Sequence, residues 1–122
     1  MSGPELWAGV LVAGGIGALA RLTADEMVSR RLVGAFPAGT LVVNGSGAFA
    51  LGLLTGLDVS ATATVLVGTG LIGAYTTFST WMLESQRLAE DRRPALAIWN
   101  IAGSVAVGVA LVVAGWALGS SI

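Results

Sequence analysis

A hydroxyl-rich stretch lies inside an otherwise apolar part of the chain. Residues 59–83 carry no charge, yet residues 73–81 read GAYTTFSTW. Gly73 and the β-branched pair Thr76 and Thr77 disfavour a continuous helix here. If a helix breaks at membrane depth, its freed carbonyls suit a hard cation such as Na⁺, and neighbouring hydroxyls can donate to an anion. Alternatively, each hydroxyl bonds back to the preceding turn of an unbroken helix. We favour the break, and with it an ion-handling site.

Asn44, within GTLVVNGSG at 39–47, is the second residue that could meet an ion. An amide inside a membrane is costly unless it is bonded, and its NH₂ group offers two donors to an anion. The alternative is an interhelical hydrogen bond that only holds the bundle together. Asn100 and Ser104 lie four apart and share one helix face with Gly108, which predicts either a polar track or a packing seam.

Two aromatic residues and one arginine complete the candidate set. Phe78 and Trp81 are three apart and therefore share a face of a helix. The electropositive edges of such rings can meet an anion, although aromatic pairs at this spacing also serve ordinary packing. Arg21 ends the first apolar segment, where it either attracts anions or extends its charge to the membrane surface.

The elements that position these residues follow from composition. The chain has 122 residues, of which 55% are hydrophobic and 11% charged, which is typical of a membrane protein. Four charge-free intervals, 6–20, 32–57, 59–83 and 94–122, are compatible with the ~20 apolar residues that a spanning helix needs, the first only with Arg21 at the membrane edge. We predict a single all-α domain over 1–122 with four transmembrane helices, approximately 6–27, 37–57, 61–88 and 95–118, the third broken near its middle. The first is expected to be permanent, because MSGPEL lacks the basic residues of a signal peptide.

Composition also excludes several function classes. The chain has no Cys and no His, and its net charge is −1. Disulfides, thiol chemistry and the commonest metal ligand are therefore absent, and there is no basic face for nucleic acid. No nucleophile–base pair or phosphate loop is present, so we do not expect an enzyme. All six basic residues are Arg in or beside the first and third loops, which places both termini outside the cell by the positive-inside rule.

Three stretches resemble the Fluc fluoride channels, also called the CrcB family. They are GGIGALAR at 14–21, GTLVVNGSGAFALG at 39–52 and GLIGAYTTFSTWMLE at 70–84. The resemblance covers the whole chain, including its length and its four-helix plan. It implies an antiparallel dimer with two pores in the cell membrane, which lets fluoride leave the cell passively and so relieves its toxicity.

The resemblance also implies roles for individual residues. A structural, non-transported Na⁺ at the dimer centre would be held by the backbone carbonyls of Gly73 and Thr76, and Arg21 would lie in the vestibule. The implied anion pore consists of Asn44, Phe78, Trp81, Thr77, Ser79, Thr80 and Ser104. The family usually has Phe where this chain has Trp81, which is bulkier and adds an N–H donor.

The dimer partner and two rival functions stay open at this stage. A homodimer of antiparallel subunits requires insertion in both directions, whereas the Arg distribution favours one orientation. A heterodimer with an oppositely oriented homologue, in which this chain could be a non-conducting half, is therefore the alternative. A small multidrug exporter also has four helices, but it needs a membrane carboxylate, and residues 6–20 contain none. A purely structural protein would not need Asn44 and the hydroxyl stretch together.

Overall fold

The computed structural model describes residues 2–122, which are helical apart from short connections. The helices are α1 (Gly3–Arg31), α2 (Ala38–Gly56), α3 (residues 61–75), α4 (Ser79–Glu90) and α5 (Pro94–Ser121). Together α3 and α4 form one interrupted span, Ala61–Glu90, so four segments are long and apolar enough to cross a membrane. The predicted all-helical class with four apolar spans, one of them bent, is confirmed, and the chain is a multi-pass membrane protein.

The start of α1 is set by a capping box. The Ser2 hydroxyl accepts from the Glu5 N–H at 3.5 Å, and the Glu5 carboxylate accepts from the Ser2 N–H at 3.3 Å. Because these bonds satisfy N–H groups that have no helical partner, the helix begins at Gly3, ahead of the expected start near residue 6. At the other end, Arg30 and Arg31 lie in the last turn, where their positive charge interacts favourably with the negative end of the helix dipole.

Glycine allows α2 and α5 to pack backbone against backbone. A Cβ atom at Gly52 would overlap the carbonyl oxygen of Val112, and one at Gly115 would overlap that of Phe49. Glycine likewise allows α1 to pack closely against α3, where a Cβ at Gly17 would overlap the carbonyl oxygen of Leu71. These close contacts, available to small residues in membrane helices, bring α2 against α5 and α1 against α3.

The side-chain core of the chain is small. Val43, Ile72, Leu88 and Ala97 are its buried apolar residues, whereas large side chains such as Trp7 and Leu11 are more than 70% exposed. An apolar exterior of this extent suits contact with lipid or with another subunit rather than with water. The buried polar residues are Thr40, Ser85 and Asn100, and the last two bond each other between α4 and α5.

Candidate functional site

The third span is interrupted over Thr76–Phe78. Helix α3 ends at Tyr75, Thr76 is extended (φ −79°, ψ 160°), and α4 begins at Ser79. In a continuous α-helix the N–H of Thr77 would donate to the carbonyl of Gly73. Here that N–H donates instead to Oδ1 of Asn44, at 2.8 Å. The carbonyl of Gly73 therefore loses its α-helical partner.

The Asn44 amide bonds Thr77 on both sides. Its Nδ2 donates to the carbonyl of Thr77 at 2.8 Å, while its Oδ1 accepts from the Thr77 N–H. The side chain thus takes the place of a peptide group and satisfies the backbone that the interruption exposes. The interhelical bond left open by the sequence is present, and one of the two amide hydrogens remains for another acceptor.

Hydroxyl groups complete the interruption. Oγ1 of Thr77 accepts from the N–H of Thr80 at 3.3 Å and so caps α4. The hydroxyl of Thr76 donates back to the carbonyl of Ile72 at 3.2 Å. The back-bonding alternative therefore applies to Thr76, whereas Thr77 serves as a cap and keeps its own hydrogen for another acceptor.

A groove of about 370 Å³ runs beside the interruption. Its ring wall consists of Phe78 and Trp81, whose centroids are 5.7 Å apart with the planes at 83°, so that one ring presents its edge to the other. The Phe78 ring is 70% exposed in the single chain. The predicted site residues that line this groove are Asn44, Gly73, Thr76, Thr77, Phe78 and Trp81.

Two further cavities adjoin the same elements. One of about 390 Å³ is lined by Asn44, Trp81 and Ser104, among valines of α5, and the buried Oγ of Ser104 has no hydrogen-bond partner among residues 2–122. The other, of about 90 Å³, is lined by Arg21, Thr77 and Thr80. Seven of the predicted pore and vestibule residues therefore line one or more of these three cavities, which share Asn44, Trp81 or Thr77. Ser79 is exposed and lines none of the three.

The Trp81 side chain has a hydrogen bond that the sequence did not predict. Its Nε1–H donates to the backbone carbonyl of Asn100 at 2.8 Å. The additional donor expected at this position is therefore engaged within the protein rather than free for an anion. Asn100 was recognisable in the sequence as a polar residue in an apolar helix, but Ser85, which bonds it, had no distinguishing signal.

Comparison with known proteins decides the family. Residues 8–116 match the sequence profile of the family described as CrcB-like protein, Camphor Resistance (CrcB). The chain is 53% identical over 110 residues, 90% of its length and 87% of the relative's, to a fluoride-specific ion channel FluC 2 of Mycobacterium tuberculosis. The chain belongs to the CrcB family. The FluC 2 protein of Moorella thermoacetica is 40% identical over 119 residues, covering 95% of this chain and 98% of the relative.

Family membership confirms the resemblance drawn from the three motifs. A further CrcB relative, the fluoride-specific ion channel FluC 2 of Haloarcula marismortui, is 45% identical over 101 residues, or 80% of this chain and 82% of its own. These relatives are named ion channels and not enzymes, which agrees with the expectation that this chain is not an enzyme.

The donor set of this CrcB chain restricts how it could hold a cation. Within residues 2–122, no cluster of three or more carboxylate, His or Cys side chains is arranged to bind a metal. A cation at the interruption would depend on backbone oxygen atoms, of which the Gly73 carbonyl is released from its helical role by the bond between Thr77 and Asn44. Oxygen donors of this kind match hard cations.

Proposed function

We propose that this chain forms one four-helix subunit of a fluoride-selective channel that lets fluoride leave the cell passively. The observation that carries the proposal is the groove in which Asn44, Thr77 and the two aromatic rings meet, in a chain whose relatives are named fluoride-specific ion channels. Fluoride is small and strongly hydrated. A pore that selects it must replace water with donors at close range, as selectivity filters do for other ions.

Several hydrogen-bond donors beside the groove are not used by bonds within the fold, and they would line the path of the ion. Asn44 retains one amide hydrogen, Thr77 retains its hydroxyl hydrogen, and Ser104 Oγ has no partner in the part of the chain that the structure describes. Phe78 and Trp81 offer ring edges, which carry partial positive charge. Arg21 and Thr80 serve the mouth of the path, where a positive charge concentrates anions. Ser79 lines none of the three cavities, and its exposed side chain would contribute only where it meets another subunit.

We assign the functional unit to an antiparallel dimer. The groove is open in a single chain, since Phe78 is 70% exposed and Gly73 also lies at the surface. A second subunit placed here closes the groove, and lipid covers the remaining apolar surface. The Arg distribution favours one orientation with both termini outside the cell membrane, and such a chain would pair with an oppositely oriented homologue. A homodimer instead requires dual insertion.

A structural Na⁺ fits the interruption at the dimer centre. The carbonyls of Gly73 and Thr76 would hold it, and the Gly73 oxygen has lost its α-helical donor to Asn44. Hard cations take several oxygen ligands, so two carbonyls per chain call for the same pair from the second subunit. The bound ion would supply positive charge to an interface that has no basic side chain at this depth, and it is not transported.

The test is ion efflux from liposomes that contain the purified chain alone, with Na⁺ present. Fluoride efflux without chloride efflux is expected if one chain type suffices. A matched pair of variants separates pore from fold: Phe78→Leu should lose fluoride efflux, and Trp7→Phe, which alters a lipid-exposed ring, should keep it. Efflux that appears only with an oppositely oriented homologue would establish the heterodimer. Failure in both preparations, with folded protein, would refute the channel function.

A further inference from the structure

A buried polar cluster joins α4 to the beginning of α5, outside the groove itself. Asn100 is 0% exposed, and its Nδ2 lies 2.9 Å from Oγ of Ser85 and 3.4 Å from the carbonyl of Trp81, donating to both. The Ser85 hydroxyl in turn donates to the same Trp81 carbonyl at 2.9 Å. In the opposite direction, the Trp81 indole N–H donates to the Asn100 carbonyl. Asn100 therefore contacts Trp81 at both its backbone and its ring.

The local helix geometry makes the Asn100 carbonyl suitable for this bond. Asn100 lies in the π-helical turn Trp99–Gly103, the only irregular part of α5 within the described residues. A π-helical turn is wider than an α-helical turn and occurs mostly at functional positions. A backbone carbonyl has two lone pairs, so it can accept the indole hydrogen in addition to a helical donor.

The bonded ring forms a wall shared by two cavities. Trp81 lines both the groove beside Phe78 and the cavity that contains Ser104. Because its N–H is directed to Asn100, the hydrogen is withheld from both cavities. The ring is held by the backbone carbonyl of Asn100, and the Asn100 amide holds that carbonyl beside α4 through its bonds to the Trp81 carbonyl and to Ser85. Asn100 itself lines neither cavity.

We infer that Asn100 is a positioning residue for ion conduction: it fixes the Trp81 ring so that the pore is offered an aromatic wall and not an indole N–H donor. The inference rests on the proposed channel function. It gives the indole N–H of Trp81 a role that a Phe ring could not fill, since only the indole can donate to the carbonyl of the π-helical turn.

The first readout is spectroscopic and needs no ion. The full chain, labelled with ¹⁵N at tryptophan and placed in lipid nanodiscs, has four indole N–H signals, and Trp81→Phe identifies the Trp81 signal by its loss. Asn100→Leu keeps the backbone carbonyl that accepts the indole hydrogen but removes the amide bonds to the Trp81 carbonyl and to Ser85 that hold this carbonyl beside α4. The Trp81 indole hydrogen should then exchange with D₂O about fivefold faster, the change expected when release of the carbonyl breaks one neutral hydrogen bond. The matched control is Trp99→Phe, an adjacent ring that is 67% exposed, and it should leave the Trp81 signal unchanged.

The second readout is fluoride efflux from liposomes. Asn100→Leu should slow efflux about fivefold when Trp81 is present. When Trp81→Phe is also present, it should slow efflux less than about twofold, because the bond from the indole N–H to the Asn100 carbonyl is then already missing. If Asn100→Leu does not fold, Ser85→Ala replaces it, since this change removes one acceptor of the Asn100 amide and should act in the same direction.

Two results would overturn the inference. One is an unchanged exchange rate of the Trp81 hydrogen in Asn100→Leu, and the other is an equal loss of efflux with and without Trp81, which would mean that Asn100 acts on the fold in general. Absence of fluoride efflux from the unmodified chain would instead refute the proposed function, and with it the role in conduction. The tryptophan signals would then still decide whether Asn100 holds the ring.

Discussion

Replacement of Asn44 by Leu tests whether one amide keeps the third span interrupted. The change keeps the branching at Cγ and removes both bonds to Thr77, which are 2.8 Å long. Two neutral hydrogen bonds have a net value of roughly 2 kcal/mol, or about a 30-fold shift in a conformational equilibrium. Without them, the Thr77 N–H can return to the Gly73 carbonyl, so we expect a continuous helix to become favoured and the cation ligand to be lost.

Hydrogen exchange and fluoride efflux measure the two consequences. In Asn44→Leu, the hydrogen-exchange rates of the backbone amides of residues 76–80 should differ from those in the unmodified chain. Addition of Na⁺ should no longer change these rates. Fluoride efflux should fall by at least about tenfold, since both a conformation and a donor are removed. The control is Thr55→Val on the same helix, whose hydroxyl only bonds back to Leu51.

Retained fluoride efflux in Asn44→Leu would contradict this role of Asn44. If Asn44→Leu kept fluoride efflux within about twofold of the unmodified chain, the two hydrogen bonds to Thr77 would not be what keeps the helix interrupted. A loss of efflux with unchanged exchange at residues 76–80 would show instead that Asn44 acts only as an ion donor. Thr55→Val should leave both measurements as they are.

Three further predictions concern caps, packing and topology. Thr77→Val removes the cap of α4 and should lower stability by about 1 kcal/mol, seen as a lower melting temperature, whereas Thr77→Ser should restore it. Gly115→Val should prevent folding by separating α2 from α5, while Gly108→Ala, which has nothing within 4 Å of an added Cβ, should melt like the unmodified protein. Reporter fusions at Ile122 should place the C-terminus outside only, and a signal on both sides would contradict the fixed orientation.

Much of the architecture could be predicted from sequence because it depends on local composition. Charge-free intervals of membrane-spanning length predict the spans, and Gly73 followed by Thr76 and Thr77 predicts an interruption where the structure has one. The three motifs also predicted the family, since their residues are close together in the chain and can be recognised without knowing how the helices pack.

The choice of hydrogen-bond partners was decided only by the tertiary structure. Asn44 could be read as an ion donor or as an interhelical contact, and its pairing with Thr77, 33 residues away, depends on the rotation of α2 against the third span. The same holds for Trp81, whose N–H is bonded to Asn100 because the π-helical turn of α5 places a carbonyl within 2.8 Å. Sequence determines which groups can donate or accept, but helix packing determines which of them remain free to meet an ion, because a buried polar group that finds a protein partner is no longer available to the pore.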